Sequence, residues 1–173
     1  GGLDKLKKEY QSIQTMFLDG LDVKQIDAIA KKIGTIHVLF NCTGFVHSGT
    51  VLDVSNDDID YSFNLNIKSH IQLTRAFLPA MIKNGGGSII NMSSIGGQRA
   101  LQTVGAYCTS KAAVANLTKA SSYSYQNELL EKSNKISTNI LYVWHVLKFI
   151  SDRDWFDNNL LIDTITNLNL IFG

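Results

Sequence analysis

Apolar and polar positions change period several times along this chain, and those changes predict its elements. Leu3 to Tyr10 is lysine-rich and reads as the end of a surface helix. Thr15 to Leu18 is a short apolar run stopped by Asp19-Gly20, the pattern of a buried strand. Val23, Ile26, Ile29, Ala30 and Ile33 recur at helical spacing, and Gly34 stands where a C-cap glycine belongs. His37 to Phe40 is a second buried strand, ending in Asn41-Cys42-Thr43-Gly44. A helical region runs from about Asn56 to Lys83 and closes on Asn84-Gly85-Gly86-Gly87. Ser88 to Met92 is a third strand, Val104 to about Leu130 a helix, and Ile136 to Val143 a fourth strand.

Strands alternating with long helices predict βαβ units, hence an α/β fold with a doubly wound parallel sheet. No repeat or linker divides the sequence, so residues 1–150 are expected to form one domain, with an atypical tail at 151–173. Ligands of such sheets bind beyond the carboxyl ends of the strands. That singles out Asp19, the stretch Asn41 to Gly44, and the stretch Ser93 to Gly97.

Composition narrows the function classes. Of 173 residues, 45% are hydrophobic and 18% charged, enough apolar material for a core. Sixteen basic and fifteen acidic residues leave a net charge of +1, which argues against binding nucleic acid or a membrane surface by bulk charge. No apolar stretch reaches the roughly 18–20 residues of a membrane span. Cys42 and Cys108 are too few for a disulfide framework and read as packed side chains in a reducing, cytoplasmic setting. The four histidines lack paired ligand spacing, so no metal site is expected. Sequons at Asn41, Asn91 and Asn116 fall on strand ends and a helix, and glycosylation is not expected there.

The chemistry concentrates in Tyr107-Cys108-Thr109-Ser110-Lys111. A tyrosine and a lysine four apart share one helix face. A free phenol, with a pKa of about 10, is a poor acid or base at neutral pH, and a neighbouring ammonium moves it toward the working range. Ser94 lies thirteen residues earlier at the end of a strand, where a hydroxyl can hold a substrate carbonyl while the tyrosine protonates it. Gly44 lets the backbone approach a flat ligand. Asn66 sits within a helix, a poor place for asparagine unless its side chain has a task.

Together these features resemble the short-chain dehydrogenase/reductase family, continuously from about Ile13 to Lys119. The resemblance implies a Rossmann-like sheet that binds NAD, with NADP left open, and moves a hydride between nicotinamide and an alcohol or carbonyl carbon. Asn41-Cys42-Thr43-Gly44 stands for the family's N-N-A-G stretch and Asp19 for the acidic residue that meets the adenine ring. Tyr107 is then the general acid/base, and Lys111 its ammonium and a ribose ligand. Ser94 orients the carbonyl, and Asn66 supports a water in the proton relay. The cofactor would meet Asp19, Asn41, Cys42, Thr43, Gly44, Tyr107 and Lys111. From Asp27 to Leu78 the likeness is to the type 2 3-hydroxybutyrate dehydrogenases, although their arginine three residues before the tyrosine is Val104 here.

Some family elements are missing from these residues. The glycine-rich T-G-x-x-x-G-x-G turn and the residue that selects NAD over NADP would precede residue 1. The P-G turn after the last core strand is replaced by Val143-Trp144, and Trp155 to Gly173 lacks the closing D-G-G strand. The chain is therefore expected to be incomplete at both ends and inactive alone, the whole protein acting as a homo-oligomer on a small carbonyl or alcohol. One alternative is a non-catalytic remnant that acts only through subunit association. Another is a 3-oxoacyl-thioester reductase.

Overall fold

The computed structural model describes residues 2–10 and 12–132. The expected strand Ile136 to Val143 and the tail 151–173 lie outside the described residues. Helix α1 spans Gly2–Glu9 and helix α2 Val23–Ile33. α2 starts where the Asp22 carboxylate accepts the Gln25 N–H at 3.1 Å, satisfying one of the first-turn donors that lack helical partners. It stops at Gly34, whose φ of +75° ends the helix while its N–H donates to the Ala30 carbonyl. Strand β1, Val38–Asn41, follows.

The crossover from β1 is one long helical run. Helix α3, Asn56–Phe63, is capped by Ser55 and leads into a π-helical turn at Asn64–Lys68. Helix α4, Ser69–Lys83, continues from it and ends before strand β2, Ser88–Asn91. A 3₁₀ turn at Ile95–Gly97 and helix α5, Gly105–Lys132, complete the described chain. β1 and β2 pair in parallel, from Val38 opposite Ser88 to Asn41 opposite Asn91.

The core lies between this sheet and its helices. Ile26 and Ala30 of α2, Leu73, Phe77 and Met81 of α4, Leu39 of β1 and Ile89 of β2 form one buried cluster. On the same face a polar ladder crosses the sheet. The Asn41 Nδ2 donates to Asn91 Oδ1 at 2.8 Å and lies 3.4 Å from Thr74 Oγ1, and Asn91 Nδ2 donates to Thr118 Oγ1 at 3.0 Å. It ties α4 and α5 to the strand ends through part-buried hydrogen bonds.

Two sequence expectations change. Thr15 to Leu18 forms no strand and has no ladder partner among the described residues, and Phe17 is 81% exposed. A strand exists only by pairing, so an apolar run alone does not make one. β1 was read as a buried strand, yet its burial alternates, with Val38 54% and Phe40 52% exposed. Among the described residues the helices cover only the face that carries Leu39 and Asn41. Uncovered apolar side chains favour association. Because the fully buried side chain is worth about 1.5–3 kcal/mol and Phe40 is half-exposed, Phe40→Lys should weaken self-association of this chain by about tenfold. Sedimentation across a concentration series checks it.

Candidate active site

Parallel strands that end together deliver their following loops to one edge. Cys42 to Gly44 leaves β1 there and Met92 to Ser94 leaves β2. The first turns of α5 pack over the 3₁₀ turn on that edge. Close approach makes this seat possible. A Cβ on Gly97 would stand 2.8 Å from the Lys111 carbonyl carbon and oxygen, so only glycine fits. Ser93 Oγ donates to the same carbonyl at 2.7 Å. Gly96 lies against Tyr107 and Cys108.

Tyr107 and Lys111 share the helix face that their spacing predicts. The Lys111 Nζ is 5.9 Å from the centre of the Tyr107 ring. It is 3% exposed and donates to the Met92 carbonyl at 2.9 Å. Burial pushes its pKa below the ordinary lysine value, and the neighbouring Cys42 works against that shift. Gly44 makes room for this ammonium: a Cβ there would lie 3.2 Å from Lys111 Nζ and 3.4 Å from Asn66 Oδ1. The Ser94 Oγ accepts the Gly96 N–H at 3.1 Å, which leaves its own proton for another acceptor.

The π-helical turn decides what Asn66 does. Its extra residue carries the Ser69 N–H to the Asn64 carbonyl and sets Asn66 fully inside. Asn66 Oδ1 accepts the Phe45 N–H at 2.6 Å, and Nδ2 donates to the Phe45 carbonyl at 2.9 Å and Ser110 Oγ at 2.8 Å. Ser110 Oγ in turn donates to the Tyr107 carbonyl at 2.7 Å. The polar atoms of the Asn66 side-chain amide are taken up by protein. That amide joins the loop after β1 to the Tyr107 turn.

The other expected site residues divide. Asn41 is 1% exposed, its Nδ2 belongs to the sheet ladder and its carbonyl accepts from Met92, so its side chain faces the interior. Cys42 is exposed and Thr43 half-buried. Asp19 is exposed; its Oδ1 accepts the Leu21 N–H at 2.9 Å, shaping the turn into α2. Gly20, next to it, packs by Thr43 and Ser69, so the Asp19 turn and the loop after β1 are neighbours. An open cavity of about 210 Å³, lined by Gly20, Leu21, Val23, Asn64, Lys68 and Gln72, adjoins this turn. No described contact joins Asp19 to the Tyr107–Lys111 pair.

Sequence reasoning assigned no role to Ser69, His70 or Ser110. Ser69 and His70 follow Asn66 by three and four residues, the spacing of one helix face, and that was the available signal. His70 is fully buried and bonded through Nε2 to the Thr43 carbonyl at 3.1 Å. Burial, with the Lys111 charge adding to it, lowers its pKa from 6.5 to about 4. Above pH 6.5 both folded and unfolded chains hold it neutral. As pH falls from there toward 4 the unfolded chain takes up a proton first, so stability is lost, by about 3 kcal/mol if the shift is complete. Urea melts at pH 7 and 4.5 should show this loss, and His70→Gln should remove that part of it.

This geometry has the stamp of a known family. The short chain dehydrogenase family model matches residues 3–140, and the chain belongs to that family of oxidoreductases. Dehydrogenase/reductase SDR family member 6 of Rattus norvegicus is 45% identical over 114 residues, covering 65% of this chain and 46% of the relative. The Xenopus laevis protein of that name is 44% identical, with 67% and 49% covered. The 2-keto-3-deoxy-L-fuconate dehydrogenase of Xanthomonas campestris pv. campestris is 38% identical, with 71% and 41% covered. A crystallised short-chain dehydrogenase from Streptomyces avermitilis superposes with a TM-score of 0.69 at 31% identity, over 72% of this chain and 48% of that one. The chain spans about half the length of the curated relatives it matches. Among the described residues, no helix is long and apolar enough to cross a membrane, and no three His, Cys, Asp or Glu side chains gather as a metal site.

Proposed function

We propose that these residues carry the catalytic face of a nicotinamide-dinucleotide-dependent enzyme that interconverts a secondary alcohol and a ketone. The observation that supports this most is the Tyr107 ring 5.9 Å from the buried Lys111 ammonium, on the helix that seats against the Ser94 turn. The dinucleotide, when bound, supplies or takes up the hydride. Gly44 fits such a ligand, since any side chain there would crowd Lys111 and Asn66. Cys42, Thr43 and Gly44 would hold it with Tyr107 and Lys111, and Asp19 would meet its adenine end.

The rest of the chemistry belongs to this chain. The Tyr107 hydroxyl gives a proton to the substrate oxygen in reduction and takes it back in oxidation. The free proton of Ser94 holds that oxygen in line. The Lys111 ammonium favours the phenolate, because a positive charge nearby stabilises the ionised form. Asn66 keeps the loop after β1 and the Tyr107 turn in one arrangement.

The reading takes NAD as the cofactor and a small hydroxy acid of the 3-hydroxybutyrate type as the substrate, in a cytoplasmic homo-oligomer whose catalytic domain includes residues 1–150. The names of the similar proteins support a dehydrogenase. The test uses the whole gene product that carries these residues, mixed with NAD or NADP and a series of secondary alcohols, and follows dinucleotide absorbance. Turnover with NAD and a 3-hydroxy acid supports the reading. No dinucleotide reduction with any alcohol rejects it.

A further inference from the structure

Three neighbouring side chains converge on the loop after β1, two of them on its backbone. Asn66 takes both the N–H and the carbonyl of Phe45. The Ser69 hydroxyl donates to the Leu65 carbonyl, so it accepts from the Thr43 hydroxyl, 2.8 Å away. His70 Nε2 reaches the Thr43 carbonyl. A carbonyl can only accept, so Nε2 carries the proton and Nδ1 is the bare nitrogen.

That bare nitrogen is what separates a task from simple packing. Among the described residues, His70 Nδ1 is buried with no hydrogen-bond partner. A buried acceptor left unpaired costs about 1–3 kcal/mol, and a leucine would fill the position without that cost. An imidazole kept here at such a cost has one compensating contact, the bond from Nε2 to Thr43. The loop it holds passes Gly44 across Lys111 and on to Phe45.

We propose that His70 is a positioning residue whose Nε2–H fixes the Thr43 carbonyl and with it the path of Thr43 to Phe45 against the dinucleotide. The proposal rests on the reading above, in which that loop holds the cofactor. It separates His70 from the catalytic group, since His70 acts only through the backbone of Thr43.

His70→Leu removes the donor, and His70→Gln keeps an amide N–H within reach of the carbonyl. In His70→Leu, amide exchange over residues 43–45 should quicken about tenfold, and the KM for the dinucleotide should rise about tenfold, as for one lost buried hydrogen bond. Its kcat at saturating dinucleotide should stay within about twofold, and His70→Gln should restore exchange and KM to within about threefold. Wild-type exchange and KM in a folded His70→Leu overturn the proposal. So does a His70→Gln protein as impaired as His70→Leu, because volume would then explain the position. If His70→Leu does not fold, His70→Asn replaces it, since the shorter amide falls short of Thr43; equal exchange in the Asn and Gln variants overturns the proposal. Absence of dinucleotide turnover in every variant, wild type included, counts against the functional reading, while the exchange rates still decide the role of His70.

Discussion

Tyr107→Phe should lower turnover of the whole protein by about 10²–10⁴-fold, the share of one well-placed acid/base. Only a hydroxyl is removed. The ring stays against Gly96 and beside the Lys111 ammonium, so packing and dinucleotide affinity should change little. The effect should therefore fall on kcat, with the KM for dinucleotide within about twofold, as expected for a group that acts only in the chemical step. Steady-state kinetics with the alcohol and dinucleotide varied in turn make the test. A variant that keeps most of its turnover would mean that the proton moves through another group. The half-buried Ser94 hydroxyl, with its proton uncommitted, would be the next candidate.

Local rules made part of this site legible in the sequence. Tyr107 and Lys111 could be paired because four residues on a helix is a geometric fact independent of the rest of the fold. Helix α2 could be read because its apolar stripe and Gly34 agree; its Asp22 cap was not read. The parallel sheet followed from alternating elements. What was hidden depends on contacts distant in sequence. The π-helical turn shifts hydrogen bonds without changing any hydrophobic pattern, so Asn66 stood out as a misfit while its hold on Phe45 stayed unseen.

Asn41 shows a different limit. Its place in the N-C-T-G stretch points to a ligand, and period-two alternation with Leu39 puts its side chain inside, where it serves the ladder. Thr15 to Leu18 shows the converse, an apolar run with no pairing strand among the described residues. The expected strand Ile136 to Val143 lies beyond the described residues.

Lys111→Met should remove turnover by at least about 10²-fold and weaken dinucleotide binding, yet leave the protein no less stable at neutral pH. The first two losses follow from one ammonium serving both the phenolate and the ribose in the proposed reading. The third comes from its burial. Lys111 is 3% exposed with its pKa lowered by desolvation, so folding at pH 7 places an ionised group where it is less favoured than in water. The sign is that of a depressed pKa: the stability is fully present above the unfolded value near 10.5 and is lost as pH falls through the folded one. Methionine fits a similar volume without the charge, and the carbonyl of Met92 loses one donor in exchange. Thermal melts at pH 7 and 9, beside fluorescence titration with NADH, separate these effects. A melt lower by several degrees would show that the bond to Met92 outweighs the buried charge. Unchanged NADH affinity beside lost turnover would remove the ribose contact and leave Lys111 with the phenolate alone.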